Sequence, residues 1–516
     1  MGSVFRPFFS RRFIVASISS LKLDEFDSLV QQVKDLATES VQSGTAMHVV
    51  EQQLLQKLLE LGHAAVKAMF QAVGTGDVGE EVSHPDHKKP LRRFPDRSDR
   101  VYRSIFGDFE LSRYLYGKDP SQKALVIPFD EHFGLPPNRF SLLLESWVSQ
   151  LSTSEAIHEA MDKLHNMLGI RVAVDSAERI LARTGANAEY FQDNLPAVEV
   201  AAEGELLIES TDNKGIVMRN KPKLEPKPVG APANRSGPIP NRKQMATICG
   251  CYSVDRWIRT PEEVLRGLFR EPSLEINTEK RPRPIQSRYQ ACMSRTQKHA
   301  EDSLDGEVSA IGWLSDHVRD RRREGQELIN LNDGETSIWA NVELTQEQNN
   351  RVDIIDLLHA IQRVWDAAVI LQPVDLYKFA RTHIGSILSG NVKTVIQSFR
   401  WQSTRLLLEG KSKAGIDTIC NFLERNANRM RYDEYLAKGY PISTGFIEGA
   451  CRHVIKDRME RSGMRWSLAG AQNMLYLRCI DAEKLWKEFQ QTHQTRVLSM
   501  YGEKRTNFVD SFQLAA

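Results

Sequence analysis

Apolar residues recur at steps of three and four from Leu21 to about Val73, where Val50, Leu54, Leu58, Leu61, Ala65 and Met69 share one face. That spacing predicts helix, and such a stripe belongs to a core or to a dimer interface. Gly74 to Pro95 is polar and rich in turn formers and reads as a loop. Tyr102, Ser104 and Phe106 then face Phe109, Leu111 and Arg113 across Gly107-Asp108, a two-residue hairpin signal. Leu135-Pro136-Pro137 opens a second helical block. In it Ser152 and Glu155 form a capping-box pattern ahead of Ile157, Ala160, Leu164 and Leu168, Gly169 ends that helix, and Asp175 caps another to about Arg183. Helix, short turn, helix is the outline of a helix-turn-helix, whose second helix presents Ser176, Arg179 and Arg183 to a major groove. Any helical hairpin gives the same outline.

After Gly185 the pattern changes. Leu206-Leu207-Ile208 is a buried-strand run ending in Ser210-Thr211-Asp212. Six prolines at 222, 226, 228, 232, 238 and 240 exclude a regular element, so this stretch reads as an extended basic insertion. Met245 to Ser253 is strand-like, Val308 to Arg323 helical, and Glu327 to Asn332 a strand that stops at Asp333-Gly334. From Asp356 to about Leu436 the chain is helical almost throughout. The sum is an α/β pattern interrupted by an all-helical insertion.

At 516 residues the chain exceeds one core, and 41% hydrophobic with 26% charged is an ordinary globular composition. Six cysteines are sparse, and the only close pair, Cys249 and Cys251, suits neither zinc nor a redox motif. Free thiols in a reducing compartment are expected. No window approaches the ~18 apolar residues of a membrane span. The N-terminal Arg6, Arg11, Arg12 and Lys22 read as a frayed basic end of a cytoplasmic protein. The net charge of +1 hides a local bias, since Lys214 to Arg288 holds 16 Lys/Arg against 7 Asp/Glu. Clustered positive charge of this kind suits nucleic acid or a solvated basic surface.

Three acids are notable for position. Asp212 follows an apolar strand, Asp333 ends another, and Glu448 lies in the first turn of a helix read from Gly445 to Ser462. Ligands gather at the carboxyl ends of strands in α/β sheets, so two such aspartates and a helix glutamate can converge on a pair of divalent cations. Hard cations such as Mg²⁺ prefer these oxygen donors. Singly, Asp-Gly is also a turn and a first-turn glutamate complements the helix dipole. Arg452 and Lys456 lie one and two turns beyond Glu448 on its face, placed to hold phosphates, while Ile447, Ala450, Cys451, Val454 and Ile455 form the opposite, buried side. Trp466 belongs to a helical core or stacks on an unpaired base.

The run from Tyr440 through Ser443-Thr444-Gly445-Phe446-Ile447-Glu448-Gly449-Ala450 to His453, with Lys456-Asp457-Arg458-Met459, Ser462-Gly463-Met464-Arg465-Trp466-Ser467 and Gly470-Ala471-Gln472-Asn473, resembles a known signature. It is similar to the C-terminal block of bacterial insertion-sequence DDE transposases of the Kra type, relatives of the Mutator-like group. Asp356-Leu357-Leu358-His359 resembles the family's Asp-x-x-His helix, and Asp212-Asn213-Lys214-Gly215 its first-aspartate motif, with Asn213 where glycine is usual. The resemblance covers most of residues 50 to 485.

The resemblance implies an α+β multidomain chain with an RNase H-like α/β catalytic domain. The mostly helical N-terminal region with its β-hairpin spans 1–130, and the helix-turn-helix-like DNA-binding region 131–200. The catalytic domain occupies 204–356 and 440–485, a helical insertion 357–439, and a C-terminal tail 486–516. Asp212, Asp333 and Glu448 then bind two Mg²⁺ or Mn²⁺ ions and carry catalysis. Asp333 and Asp356 compete as second aspartate. The strand end favours Asp333, leaving Asp356 a helix cap and His359 a supporting contact. The activity implied is metal-dependent phosphodiester hydrolysis and strand transfer. The implied partners are terminal inverted repeats and target DNA, held by Arg452, Lys456, Arg179 and Arg183. The chain is expected to act at the nucleoid as at least a dimer. A transposase-derived repressor without cleavage and a metal-dependent nuclease are the alternatives.

Overall fold

The computed structural model describes residues 21–83, 89–196, 198–199, 203–219, 243–272, 281–294, 305–345, 351–461 and 463–499. The six prolines of 222–240 and Arg6, Arg11 and Arg12 lie outside the described residues. The chain divides into two units, Met1–Asn187 with Lys487–Ala516, and Ala188–Trp486.

In the first unit the single helix expected to Val73 is two, α1 (Asp24–Ser43) and α2 (Met47–Val73). Gly44 takes a left-handed φ of 66° and donates its N–H to Ser40 O, a turn that closes α1. The stripe read on α2 is not its core face. Leu58 and Met69 are about half exposed, and the buried residues are Ala64, Ala68 and Phe70. The reason is the hairpin, which packs on a neighbouring face: Phe70 meets Tyr102 and Phe109 edge-on, and His63 stacks on Phe109.

The stretch read as a loop carries two short strands, β1 (Glu81–Val82) and β2 (Leu91–Arg93). The hairpin is β3 (Ser98–Ser104) with β4 (Gly107–Arg113), and β5 (Tyr116–Gly117) joins the first two in the order β1-β2-β5. Ser104 pairs with Gly107, so the turn is Ile105-Phe106 rather than Gly107-Asp108. Ser104 Oγ accepts the Phe106 N–H at 2.9 Å, and Gly107 supplies a φ of 113° on leaving the turn.

Helices α3 (Pro128–Phe133), α4 (Leu142–Ser154) and α5 (Ile157–Leu168) follow. Ser152 is buried inside α4 and is not the N-cap of α5; Ala156 precedes α5, and the Glu159 carboxylate accepts its N–H at 3.3 Å. Gly169 ends α5 in the left-handed conformation, as expected. Helix α6 (Val174–Asp193) has Asp175 in its first turn and continues well past Arg183.

The second unit is built on a five-stranded sheet in the order β10-β9-β6-β7-β8. Its strands are β6 (Leu206–Val217), β7 (Lys243–Val254), β8 (Ile285–Met293), β9 (Glu327–Asn332) and β10 (Arg351–Ile355). β6, β7 and β8 are antiparallel, whereas β9 lies parallel to both β6 and β10. β8 and β10 escape a sequence reading. Ile285 to Met293 mixes polar with apolar residues, and Arg351 to Ile355 is too short to show a period.

Alternation on the inner strands divides two cores. Leu207, Cys249, Cys251 and Leu328 face helix α8 (Gly306–Arg321) through Ala310, Leu314 and Val318. Leu206, Ile208, Ile329 and Leu331 face the helical insertion. Covering both faces is what parallel strands require. All six cysteines are buried free thiols, as the sequence implied. Among the described residues no helix is long and apolar enough to cross a membrane.

After α7 (Pro261–Leu268) and α9 (Thr336–Thr345), neither evident from the sequence, the insertion comprises α10 (Leu357–Leu371), α11 (Leu376–Leu388), α12 (Val392–Arg405), α13 (Gly410–Arg425) and α14 (Tyr432–Ala437). It leaves and returns at one point, where Leu357 N–H donates to Ile442 O at 2.9 Å. The helix expected from Gly445 to Ser462 is α15 (Gly445–Ala450), a π-helical segment Cys451–Lys456 and a last turn Asp457–Met459. Helices α16 (Leu468–Ala482) and α17 (Trp486–Leu498) close the described chain.

Candidate functional site

Strand register assembles the acids. β6 and β9 pair Leu206 with Glu327 through Glu209 with Asn330, and Thr211 N–H donates to Asn332 Oδ1 at 2.6 Å. The same offset carried three residues past the last pair points from Asp333 toward Asp212, and the Asp333 carboxyl feels the Asp212 charge. β9 and β10 pair Asn332 with Ile355, and Asp356 N–H donates to Asn332 O at 2.8 Å. That offset sets Asp356 on the other side of Asp333. Asp333 and Asp356 therefore stand side by side just past the carboxyl ends of β9 and β10, while Asp212 lies inside β6, which runs on to Val217 and pairs with β9 only as far as Glu209. Asp212, expected at a strand end, is instead an interior residue of β6, opposite Ile248 of β7.

Asp356 is fully buried and its carboxylate is committed. Oδ1 accepts the Thr444 N–H at 2.8 Å, and Oδ2 accepts the His359 N–H at 2.9 Å and pairs with His359 Nδ1 at 2.8 Å. Burial alone raises a carboxyl pKa, yet these donors hold Asp356 below the ordinary value. Thr444 Oγ1 donates in turn to Glu448 Oε1 at 3.0 Å. Ligand atoms of Asp356, His359 and Glu448 all lie within 4.8 Å of one another. The structure thus groups Glu448 with the two residues expected to support it.

Asp333 carries the opposite perturbation. Burial raises its pKa, the charges of Asp212 and Asp356 add to the rise, and the Glu335 N–H and His359 oppose it. Glu335 is also raised, by burial first, and Asp333, Glu307 and Asp212 add to the rise. His359 is raised, chiefly by its bond to Asp356, with Asp333 and Glu448 contributing. Such mutual repulsion among carboxylates is relieved by a cation, and a set of carboxylates with one imidazole fits Mg²⁺ or Mn²⁺.

Asp212 lies near the thiol of Cys451, the residue that follows α15. Burial, followed by the Asp212 charge, pushes that thiol up to about 12. Asn213, where the resembled family has glycine, bridges further carboxylates. Its Nδ2 donates to Glu307 Oε2 at 2.7 Å and to Glu335 Oε2 at 3.2 Å, and its Oδ1 accepts from Thr247 Oγ1 at 2.5 Å. Glu307, Glu335, Thr444 and Cys451 were missed by the sequence reading. Only Thr444, a hydroxyl just before a helix, carried a visible signal there.

Beyond Glu448 the burial pattern is the one expected. Glu448, Arg452 and Lys456 are exposed, and Ile447, Ala450, Cys451, Val454 and Ile455 are buried. The π segment, wider than α-helix, lies between Glu448 and Lys456. Arg452 approaches Asp457 at 3.9 Å. Trp466 is a sheet accessory: its N–H donates to Val217 O, its carbonyl accepts from Arg219 N–H, and its indole donates to Met459 O. Its ring lies against the Arg458 guanidinium.

In the first unit Arg179 is exposed and touches Ser176 at 3.3 Å. Arg183 pairs with Glu145, a carboxylate only 2% exposed that also lies 3.8 Å from His493 Nε2. Arg183 therefore serves as a counter-ion to a buried acid.

No protein-family model matches the chain, and no curated protein does. Among solved structures the Drosophila P element transposase strand transfer complex is similar over 73% of this chain and 87% of the matched one, at 10% identity and a TM-score of 0.23.

Proposed function

We propose that this chain is a DNA transposase whose second unit is an RNase H-like catalytic domain cutting and joining phosphodiesters at the ends of a mobile element. The observation that carries the reading is the meeting of Asp356, His359 and Glu448, with Asp333 beside Asp356 and the Asp212 charge felt at Asp333. The specific sequence block around Glu448 supports it independently.

In this reading Asp212, Asp333 and Glu448 hold two Mg²⁺ or Mn²⁺ ions. When bound, the ions polarise the attacking oxygen and stabilise the leaving oxygen. Asp356 is a positioning residue: it fixes the His359 ring through Nδ1 and anchors the N-terminal end of the Glu448 helix through Thr444. The in-line substrate is first water at the element end and then the freed 3′-hydroxyl at target DNA. Arg452 and Lys456 take the flanking phosphates, and Arg179 belongs to end binding by the first unit. Pairing two ends calls for at least a dimer.

The test is joining of labelled inverted-repeat DNA to a target with Mn²⁺ or Mg²⁺. Joined product that disappears with Glu448→Gln supports the transposase. Cleavage without joining points to a nuclease, and binding of a verified native end without any cut points to a repressor.

A further inference from the structure

The helical insertion carries a second feature that the chemistry above does not use. Arg425, the last residue of α13, lines two cavities. One, of about 540 Å³, also holds Asp333, Glu335, His359 and Arg363. The other, of about 380 Å³, is lined by Arg351, Asp353, Arg429 and Arg431 as well, so four arginines face a single lining acid.

The cations there are under-satisfied. Arg351 has a side chain only 4% exposed and is held by Asp353 through Nε and Nη2 at 2.8 and 3.3 Å. Its Nη1 is buried with no hydrogen-bond partner. An orphaned, nearly buried guanidinium N–H is costly unless something supplies an acceptor. Arg429 stacks over Trp339 at 4.1 Å and pairs with Glu343 at 2.7 Å, and Arg431 pairs with Glu434 at 3.0 Å. Both carboxylates are about half exposed, so these pairs are weak and can be exchanged for phosphate oxygens. Arg425 makes no ion pair among the described residues.

We infer that the two cavities form one track for the sugar–phosphate backbone of a DNA strand, running from Asp333 past Arg425 to the pocket of Arg351, Arg429 and Arg431. The inference rests on the transposase reading and extends it to the insertion, which then grips the strand leaving the acids. Planar guanidinium forks suit paired phosphate oxygens, and the arginine stacked on Trp339 is pre-oriented for them. A free phosphate-bearing molecule has the same chemistry, and the experiment separates the two.

The full chain is titrated, in chelator so that nothing is cut, against a labelled DNA duplex across roughly 50–200 mM salt. Wild type is compared with Arg425→Gln, Arg425→Gln/Arg431→Gln and Arg405→Gln. Arg405 is an exposed arginine of the same insertion outside both cavities. The expected result is a several-fold weaker affinity for Arg425→Gln, with a salt slope lower by about one, and by about two for the double variant. Arg405→Gln keeps the wild-type slope. If Arg425→Gln and Arg405→Gln behave alike, the track is overturned while joining activity still supports the transposase. If inorganic phosphate or ATP binds wild type and not Arg425→Gln, with the DNA slope unchanged, the pocket takes a free phosphate and the track is again overturned. Failure of wild type to bind any DNA removes both readings.

Discussion

The Asp356 carboxylate accepts the backbone N–H of Thr444 at 2.8 Å across 88 residues of chain. Those residues are the helical insertion, so one buried carboxylate joins the end of β10 to the start of the Glu448 helix. The bond explains how the sheet can accept five extra helices while Asp356, His359 and Glu448 stay together. Both ends of the insertion are pinned at Asp356, and the Leu357–Ile442 bond closes the gap beside it.

Replacing Asp356 with asparagine turns an acceptor of three donors into a group with one acceptor. At least one donor then faces an amide N–H in a buried site. Asp356→Asn should lose about 1–3 kcal/mol of stability, with joining reduced because Glu448 is no longer held. Thermal unfolding and joining are measured on the same sample. A variant as stable as wild type that joins normally would exclude this positioning role.

Asp333→Asn should behave in the opposite way. Its ionised form is disfavoured in the metal-free fold by burial and by the charges of Asp212 and Asp356. Asparagine removes that charge and keeps the oxygen that accepts the Glu335 N–H. The expected outcome is a metal-free melting point raised by a few degrees, no further rise on adding Mn²⁺, and no joined product. A lower metal-free melting point, or a Mn²⁺-dependent rise equal to that of wild type, would move the second aspartate to Asp356.

Asn213 makes a prediction particular to this chain. Its amide is the donor lying between Glu307 and Glu335, where the resembled family has glycine. Asn213→Gly leaves two carboxylates facing each other without that donor and adds a flexible residue to β6. The loss should be roughly 1–3 kcal/mol. Removing one charge with Glu335→Gln in the same chain should restore part of it. Unfolding of the single and double variants decides this, and additive losses would exclude the bridge.

How far the sequence foretold the site follows from the kind of signal each part leaves. Glu327 to Asn332 reads as a strand because its apolar run is short and bounded by Asp333-Gly334, and it folds over those very residues. Glu448 stands out in the sequence through its local block. The approach of Asp212 to Asp333 is not readable, because register between β6 and β9 is a property of pairing across more than a hundred residues. Asp356 appeared as a helix cap, which it is, while its second partner Thr444 lies on the far side of the insertion. Of the two readings of the α2 stripe, core or interface, the core one fails for a related reason. Its helical period was right, but Phe109 of the hairpin chose the neighbouring face.

A pH-sensitive carboxyl lies apart from the clustered acids. Glu483, following α16, accepts the Tyr289 N–H on Oε1 at 2.6 Å, while its Oε2 is buried without a partner. Burial pushes its pKa up to about 8, against the opposing Tyr289 N–H and Arg288 charge. A carboxyl raised in the folded state stabilises fully below its unfolded value, near 4.5, and that contribution is lost as pH rises through about 8. The wild-type chain should therefore lose stability between about pH 5 and pH 8 in chelator. Glu483→Gln holds a neutral group of the same shape at every pH, so its curve should be flatter across that window. It should approach wild type at pH 5 and exceed it at pH 8.5. Denaturant unfolding at the two pH values is the measurement, and parallel curves for the two proteins would show that Glu483 is ionised in the fold throughout.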